Sequence, residues 1–443
     1  MASSKAASST EMEVNASPTK SFFISVLIKD IDFIDALIEL IDNSVDAVRA
    51  RLGDDLRKGH IQVNYSTSEV SVIDDGVGIS IDQAHKSTFR FGRPTIAKVV
   101  PGSVGAFGVG MKRALFKIGR WFEVESSTST ERFRLPVNVA DWEKDDDEAA
   151  SQWKFEMATS ETNLRNNKTG TSVVIKKLHE YSKEELRSAT FGTRLREKLT
   201  LAHETALGLG LKLSINGLNL QAEAPEILVG KHLKPIHIED SIRVDKSDVS
   251  IRIYAGVGDD KLRDAGWYVF CNGRQIESAE KTKRTGWDTA LDTGDKTPRP
   301  HWQFRRFRGY VFFDSPASSL LPWNTMKTGL NVESAVYRKA SQQMIMALRD
   351  VITFLNALDA EDDVDGPLHA AIDEAKYVRL SAVPTNAAFR APRPRTDESK
   401  LARISFKRDP DLVDLVKEEL GVATNREVGE QVFDFFVRSK KLL

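Results

Sequence analysis

The sequence predicts an α+β protein of more than one domain, and three observations carry that expectation. An early amphipathic helix is followed by strand patterns broken by a glycine-rich loop. A second stretch is almost wholly strand pattern around Asn-Gly turns, and a short strand-helix-helix pattern ends the chain. At 443 residues the length exceeds what one hydrophobic core normally fills, so two or three domains are expected.

Residues 1–20 are small and polar and read as a loose tail. Residues 21–183 alternate helix and strand signals: "ALIELIDNSVDAVRA", "HIQVNYS", "EVSVIDD", a glycine-rich loop, then "WFEVESS", "ERFRLPV" and "TSVVIKKL". Inside them "DWEKDDDEAASQ" is charged and reads as a solvated surface insertion. Residues 184–359 open with a helical stretch and continue as "LKLSINGLNLQ", "SIRVDKSDVSIRIYAGV", "GWYVFCNGRQI" and "FRGYVFFDS", closed by a long helix from Glu333 to about Leu358. Within this part "HWQFRRFRGY" interleaves aromatic and basic residues, but reads best as a strand with one solvated face. Residues 360–398, rich in Pro, Ala and charge, read as a linker, and 399–443 as a small separate unit.

Acidic and basic residues nearly cancel at a formal net charge of −1, so any attraction to nucleic acid must be local. The single cysteine, Cys271, excludes an intramolecular disulfide and a multi-cysteine zinc site. That fits a cytoplasmic protein, or a nuclear one in a eukaryote. No apolar run is long enough to span a bilayer, so no membrane partner is expected.

The early helix poses the sharpest question. Glu39, Asp42, Asn43 and Asp46 fall at i, i+3, i+4 and i+7 on one face, and Asp32 and Asp35 extend it backward. Leu37, Ile38, Ile41, Val45 and Val48 share the other face. Like charges at this spacing cost an isolated helix about 0.2–0.5 kcal/mol per pair, so something should offset them. A solvated face is one reading. A site for a hard cation such as Mg²⁺, held by one or two protein oxygens plus water and phosphate, is the other.

Two further stretches bear on the choice. In "VSVIDDGVGIS" an apolar strand ends at Asp74, placed to accept a hydrogen bond in a half-buried pocket, and Gly76 and Gly78 allow close backbone approach. In "PGSVGAFGVGMKRALFKIG" the glycines free backbone amides just before a helix, which makes an anion cradle. It is not a P-loop, because Met111 intrudes before Lys112 and Arg113 stands where Ser or Thr should be. No glycine follows Gly110 at the spacing of a dinucleotide fingerprint either.

Taken in order, "ELIDNSVDA", "DDGVGI", "GAFGVGMK" and "TGTSVVI" resemble the four nucleotide-binding motifs of the GHKL ATPases, the group of gyrase, heat-shock chaperone, histidine kinase and MutL. The resemblance runs from about Phe22 to Lys177 and implies the GHKL (Bergerat) α/β sandwich, binding ATP and Mg²⁺ under a flexible lid. It makes Glu39 the general base and Asn43 the magnesium ligand, which would explain the acidic face. Asp42 and Asp46 would orient the helix and its solvent near the nucleotide. Asp74 would bond the adenine amino group, with Gly76 and Gly78 near the base and Thr171 supporting Asp74. Gly105, Phe107, Gly108, Val109, Gly110, Met111 and Lys112 would form the lid over the phosphates.

The second part resembles the transducer domain of the gyrase, MutL and MORC branches, through "LKLSING" and "YVFCNGRQI". "LPWNTMKTGLN" is similar to the loop that sends a lysine to the γ-phosphate, which makes Lys327 the second catalytic candidate, although Met326 departs from the gyrase and MutL pattern and a plain surface lysine is the rival. MORC-type zinc modules are absent, as one cysteine requires, and no metal-endonuclease signature of the MutL kind is present.

The last residues resemble a ribbon-helix-helix module, which folds as an intertwined dimer. In that case Arg403, Ser405 and Lys407 would face DNA and Ile404 and Phe406 the core. The implied function is an ATP-gated dimeric clamp acting on DNA or a chromatin-like substrate. A chaperone clamping protein clients, a histidine kinase and a module that holds ATP without turnover are the alternatives. The kinase ranks last, since no helix with a suitable histidine precedes the motifs.

Overall fold

The computed structural model describes residues 19–91, 110–144, 153–165, 168–221, 224–290, 294, 296–324, 327, 329–361, 363, 365–394, 404 and 407–440. Residues 1–394 form one compact unit and 395–443 another.

Apolar alternation builds an eight-stranded first sheet. Its strands are β1 (His60–Tyr65), β2 (Glu69–Asp74), β3 (Gly119–Ser127), β4 (Arg132–Asn138), β5 (Thr159–Glu161), β6 (Gly170–Leu178), β7 (Lys212–Ile215) and β8 (Leu218–Asn219), in the order β5-β4-β3-β6-β2-β1-β7-β8. Every pairing is antiparallel except β1 with β7. Helices α1 (Lys20–Leu27), α2 (Phe33–Leu52), α3 (Gly110–Ile118) and α4 (Phe191–Ala202) share one core with this sheet, in which Leu37, Ile41, Phe116 and Leu195 meet Val63, Val72, Val124 and Ile175.

Two expectations about this part are corrected. "LKLSINGLNLQ" does not open the second sheet: β7 and β8 extend the first, turned by Asn216 and Gly217 at φ +45° and +81°. An Asn-Gly hairpin suits either sheet, and only the long-range pairing with β1 decides. The expected solvated insertion begins instead as a helix, Val139–Lys144, that buries Trp142 against Phe116. Its remainder, 145–152, lies outside the described residues.

The second sheet follows a short strand, β9 (Glu226–Val229). It comprises β10 (Ile236–Val244), β11 (Ser247–Val257), β12 (Gly266–Cys271), β13 (Arg274–Glu280) and β14 (Phe307–Asp314), ordered β10-β11-β14-β12-β13. Alternate residues explain its two covers. Ile253, Val269 and Val311 face the long helix α5 (Ala335–Asp359), while Tyr254, Phe270 and Tyr310 pack with Ile227, Leu380 and Val383.

Those last two residues overturn the linker expectation for 360–398. The segment carries a helix, Pro367–Asp373, and a strand, β15 (Lys376–Arg379), which pairs with β9; bridges at Asn386 and Arg390 tie it to His237 and Lys234. An apolar second sheet face needs a cover, and this segment supplies one through Pro394.

In the C-terminal unit, α6 (Pro410–Leu420) starts on an Asp409 cap with Pro410 in the first turn and stops at Gly421, φ +65°. Helix α7 (Asn425–Ser439) starts on a Thr424–Glu427 capping box. The strand expected before α6 falls largely on residues that are not described, among them Arg403, Ser405 and Phe406; Ile404 and Lys407 are exposed. Among the described residues no helix is long and apolar enough to cross a membrane.

Candidate functional site

Helix α2 buries its apolar stripe, with Leu37, Ile41, Val45 and Val48 sealed. Its acidic face is enclosed as well: Asp42 is 1% exposed and Glu39 5%. Asn43 is exposed and Asp46 half-buried. The solvated-face reading therefore fails at the two innermost acids, because the second sheet's domain and α3 close over them.

Cations offset the like charges. Glu39 Oε1 accepts from Arg113 Nη2 at 3.2 Å, and Glu39 Oε2 from Lys327 Nζ at 3.1 Å. Lys327 also donates to Asp42 Oδ2 at 2.9 Å. Arg274 Nε stands 3.1 Å and His203 Nε2 3.5 Å from Asp42 Oδ1, both without hydrogen-bond alignment, so these two act through charge and dipole. Burial alone would raise the Asp42 carboxyl, but Lys327, Arg274 and His203 together hold it at about 2. Burial would likewise lower the Lys327 ammonium, yet Asp42 and Glu39 keep it above its ordinary value. Burial pushes His203 down to about 4, so it is neutral at pH 7 and three cations, Arg113, Arg274 and Lys327, face two carboxylates.

Lys327 reaches this cluster from a tight loop. Trp323 bridges Leu330, Asn324 N donates to Gly329 O at 2.9 Å, and Lys327 sits at φ +55°, a backbone state that lysine adopts at a cost. A second tie joins the domains where Arg49 Nη1 donates to Asn272 O at 3.3 Å. The turn after Asn272 then leads straight to Arg274.

Asp74 closes β2 opposite Thr171 of β6. Its Oδ2 accepts from Ser44 Oγ at 2.9 Å, and its Oδ1 from the amides of Gly76 at 2.9 Å and Thr171 at 3.3 Å. Burial outweighs these donors and raises the carboxyl to about 6. Thr171 supports Asp74 with its backbone; its hydroxyl pairs with Ser126 Oγ at 2.9 Å, which in turn accepts from Ile79 N at 2.7 Å. The two glycines of the turn are used against the protein itself. A Cβ at Gly76 would lie 2.5 Å from Ala47 Cβ, and one at Gly78, where φ is +75°, 2.1 Å from Ser127 O.

Of the expected lid, Gly105, Phe107, Gly108 and Val109 lie outside the described residues. Gly110 begins α3, and a Cβ there would stand 2.0 Å from Glu39 Oε2, so the helix start hugs the acid. Met111 packs on the first core. Lys112 is buried, donates to Thr88 O at 2.9 Å, and is lowered by burial to about 8. Asn43 Nδ2 donates to Glu39 O at 2.6 Å, which leaves its amide oxygen, a hard donor suited to Mg²⁺.

The sequence reading did not single out Ser44, Ser126, Arg113, Arg274 or His203 as site residues. Arg113 had a legible signal, since it lies one helical turn after Gly110 and shares its face. Arg274 and His203 had none, being distant in sequence from the acids they meet.

Residues 31–171 match the family model described as histidine kinase-, DNA gyrase B-, and HSP90-like ATPase. No curated protein matches the chain.

Proposed function

We propose that residues 31–171, which match the histidine kinase-, DNA gyrase B-, and HSP90-like ATPase family model, form a GHKL-type ATPase domain, and that the chain is a Mg-ATP-hydrolysing conformational clamp. The observation that carries this reading is the meeting of Lys327 with Glu39 inside a buried cluster. An acid placed to take a proton and a lysine placed to neutralise a phosphoryl group are what the reaction requires. Glu39 takes a proton from water as the water oxygen bonds to the γ-phosphorus, the bond from that phosphorus to the bridging oxygen breaks, and ADP leaves. Lys327 offsets charge on the transferring oxygens. Asn43 would hold Mg²⁺, whose chemistry is to neutralise the phosphate oxygens. Asp74 would accept a hydrogen bond from the adenine amino group, and the segment from Gly105 to Lys112, of which 105–109 lie outside the described residues, would be the cover over the phosphates.

Glu39 and Lys327 come from different domains, so turnover and interdomain docking are linked. The three cations gathered on Glu39 and Asp42 among the described residues support an anionic ligand at this point. The C-terminal unit would pair two chains, and Arg403, Ser405 and Lys407 would give it a local affinity for DNA despite the neutral whole. In this reading the clamp belongs with the MORC and MutL-like branches and works on DNA or a chromatin-like substrate.

Steady-state ATP hydrolysis tests the reading, with Glu39→Ala and Lys327→Ala each expected to lower kcat by about 10²-fold or more. Turnover untouched by Glu39→Ala would remove its role as base. Sizing the chain with and without a non-hydrolysable ATP analogue and duplex DNA tests the clamp: the expected result is compaction or dimer formation on nucleotide, and DNA retention that weakens with salt.

A further inference from the structure

We propose that Asp42 is the positioning residue for Lys327: it anchors the second domain to helix α2 and fixes the lysine where a triphosphate meets it. This deepens, and rests on, the reading of Glu39 and Lys327 as the hydrolytic pair. Asp42 is the most enclosed acid of the cluster, and its three charged or ring neighbours, Lys327, Arg274 and His203, all lie beyond the matched ATPase segment in sequence.

The two acids divide the work. Glu39 Oε2 shares Lys327 with Asp42, but Glu39 is also held by Arg113 from its own domain, whereas Asp42 makes the shorter contact to the lysine, 2.9 Å against 3.1 Å. A base must be freed to accept a proton. If Glu39 alone held Lys327, release of the base would release the cation too. With Asp42 gripping the same ammonium, Lys327 turns from Glu39 toward an arriving phosphate while its anchor stays made. The charge of Arg274, whose Nε lies 3.1 Å from Asp42 Oδ1, and the His203 ring 3.5 Å from the same oxygen favour the orientation in which the other oxygen faces the lysine. The strained backbone at Lys327 shows why an anchor is needed: a lysine at φ +55° stays there only where the surroundings enforce it.

The test compares full-length wild type, Asp42→Asn, Lys327→Met and the double variant, by ATP turnover and by amine-reactive labelling of Lys327 read by peptide mass spectrometry. Asp42→Asn is expected to lower kcat by about 30-fold with KM within about threefold, and the double variant to be no slower than Lys327→Met alone within about twofold. Lys327 labelling in the nucleotide-free chain is expected to rise about tenfold in Asp42→Asn, a change that a merely structural acid elsewhere would not produce. Losses that multiply in the double variant, or Lys327 labelling equal to wild type, overturn the proposal. Wild-type turnover by Lys327→Met instead overturns the hydrolytic pair itself. Should Asp42→Asn fail to fold, Arg274→Gln decides: it keeps the Lys327 contact but loosens the carboxylate, so a kcat loss of about three- to tenfold with raised labelling supports the proposal and wild-type values overturn it.

Discussion

Arg113 Nη2 meets Glu39 Oε1 at 3.2 Å with both side chains almost wholly buried, so the acid at the centre of the site is held by a cation one helical turn into α3. Removing one member of a buried pair strands the other. Arg113→Met is therefore expected to destabilise the chain by about 3 kcal/mol, the lower end of the usual range, because Lys327 still partners Glu39. The exposed pair Arg426–Glu430 is the control, and Arg426→Met there should cost about 0.5 kcal/mol or less. Denaturant midpoints of the two variants measure the contrast, and equal losses would show that the Glu39 pair is not buried in solution.

Asp74 gives a pH prediction with two opposite signs. Its carboxyl is raised by burial to about 6 from an ordinary 3.8, so the folded chain binds that proton more readily than the unfolded chain does. Stability from this group rises as pH falls from above 6 to below 4, by on the order of 3 kcal/mol when complete. With Asp74 as the proposed acceptor for the adenine amino group, ATP affinity moves the other way, since a protonated carboxyl loses acceptor strength. Calorimetric titration should find ATP binding weakening as pH drops through about 6. In Asp74→Asn that pH dependence should vanish, with affinity about tenfold or more below wild type at neutral pH.

Gly78 tests whether the turn after β2 is built for backbone contact. A methyl there would strike Ser127 O at 2.1 Å from a left-handed backbone, so Gly78→Ala should cost about 2–4 kcal/mol and abolish nucleotide binding. Gly53, at φ +69° and ψ −136°, has open space around it, so Gly53→Ala should cost its backbone strain alone, about 1–3 kcal/mol, and leave nucleotide binding intact. Thermal unfolding of both separates close approach from backbone conformation.

Much of this site was legible because its residues lie on local periods. Glu39 and Asp42 share a face of α2 by spacing alone, Asp74 ends a strand pattern, and Gly110 opens the helix that hugs Glu39. The partners of the acids were harder to read. His203 and Arg274 meet Asp42 only after α4 and the Asn272-Gly273 turn are packed, a long-range outcome that no short pattern encodes. The same limit hid β7 in the wrong sheet. The segment around Leu380, Val383 and Phe389 has the composition of a linker because its many Pro and Ala residues mask a few well-placed apolar anchors. Burial of Glu39 and Asp42 is equally invisible, since a helix face of acids looks the same whether solvent or three cations cover it.

The C-terminal unit gives the last prediction. Neither α6 nor α7 buries a residue, although Leu412 and Leu415 on one and Val432, Phe433, Phe435 and Phe436 on the other are large and apolar. Val432, Phe435 and Phe436 fall at i, i+3 and i+4, hence on one face. Phe435 is 74% exposed, which water tolerates only at a cost that a partner would remove. Covering four such side chains is worth roughly 6 kcal/mol or more per protomer, about 12 kcal/mol per dimer, against an association cost of about 4–15 kcal/mol. A second copy presents the same apolar set, so mutual burial serves both chains and micromolar self-association is within reach. Sedimentation equilibrium without nucleotide is therefore expected to find dimer at tens of micromolar. Phe436→Glu should shift the chain to monomer while leaving the proposed ATP turnover per chain within about twofold at low concentration, because residues 1–394 and 395–443 form separate compact units. A wild-type chain that stays monomeric at that concentration, with Phe436→Glu indistinguishable from it, would mean that these phenylalanines are not a self-pairing surface.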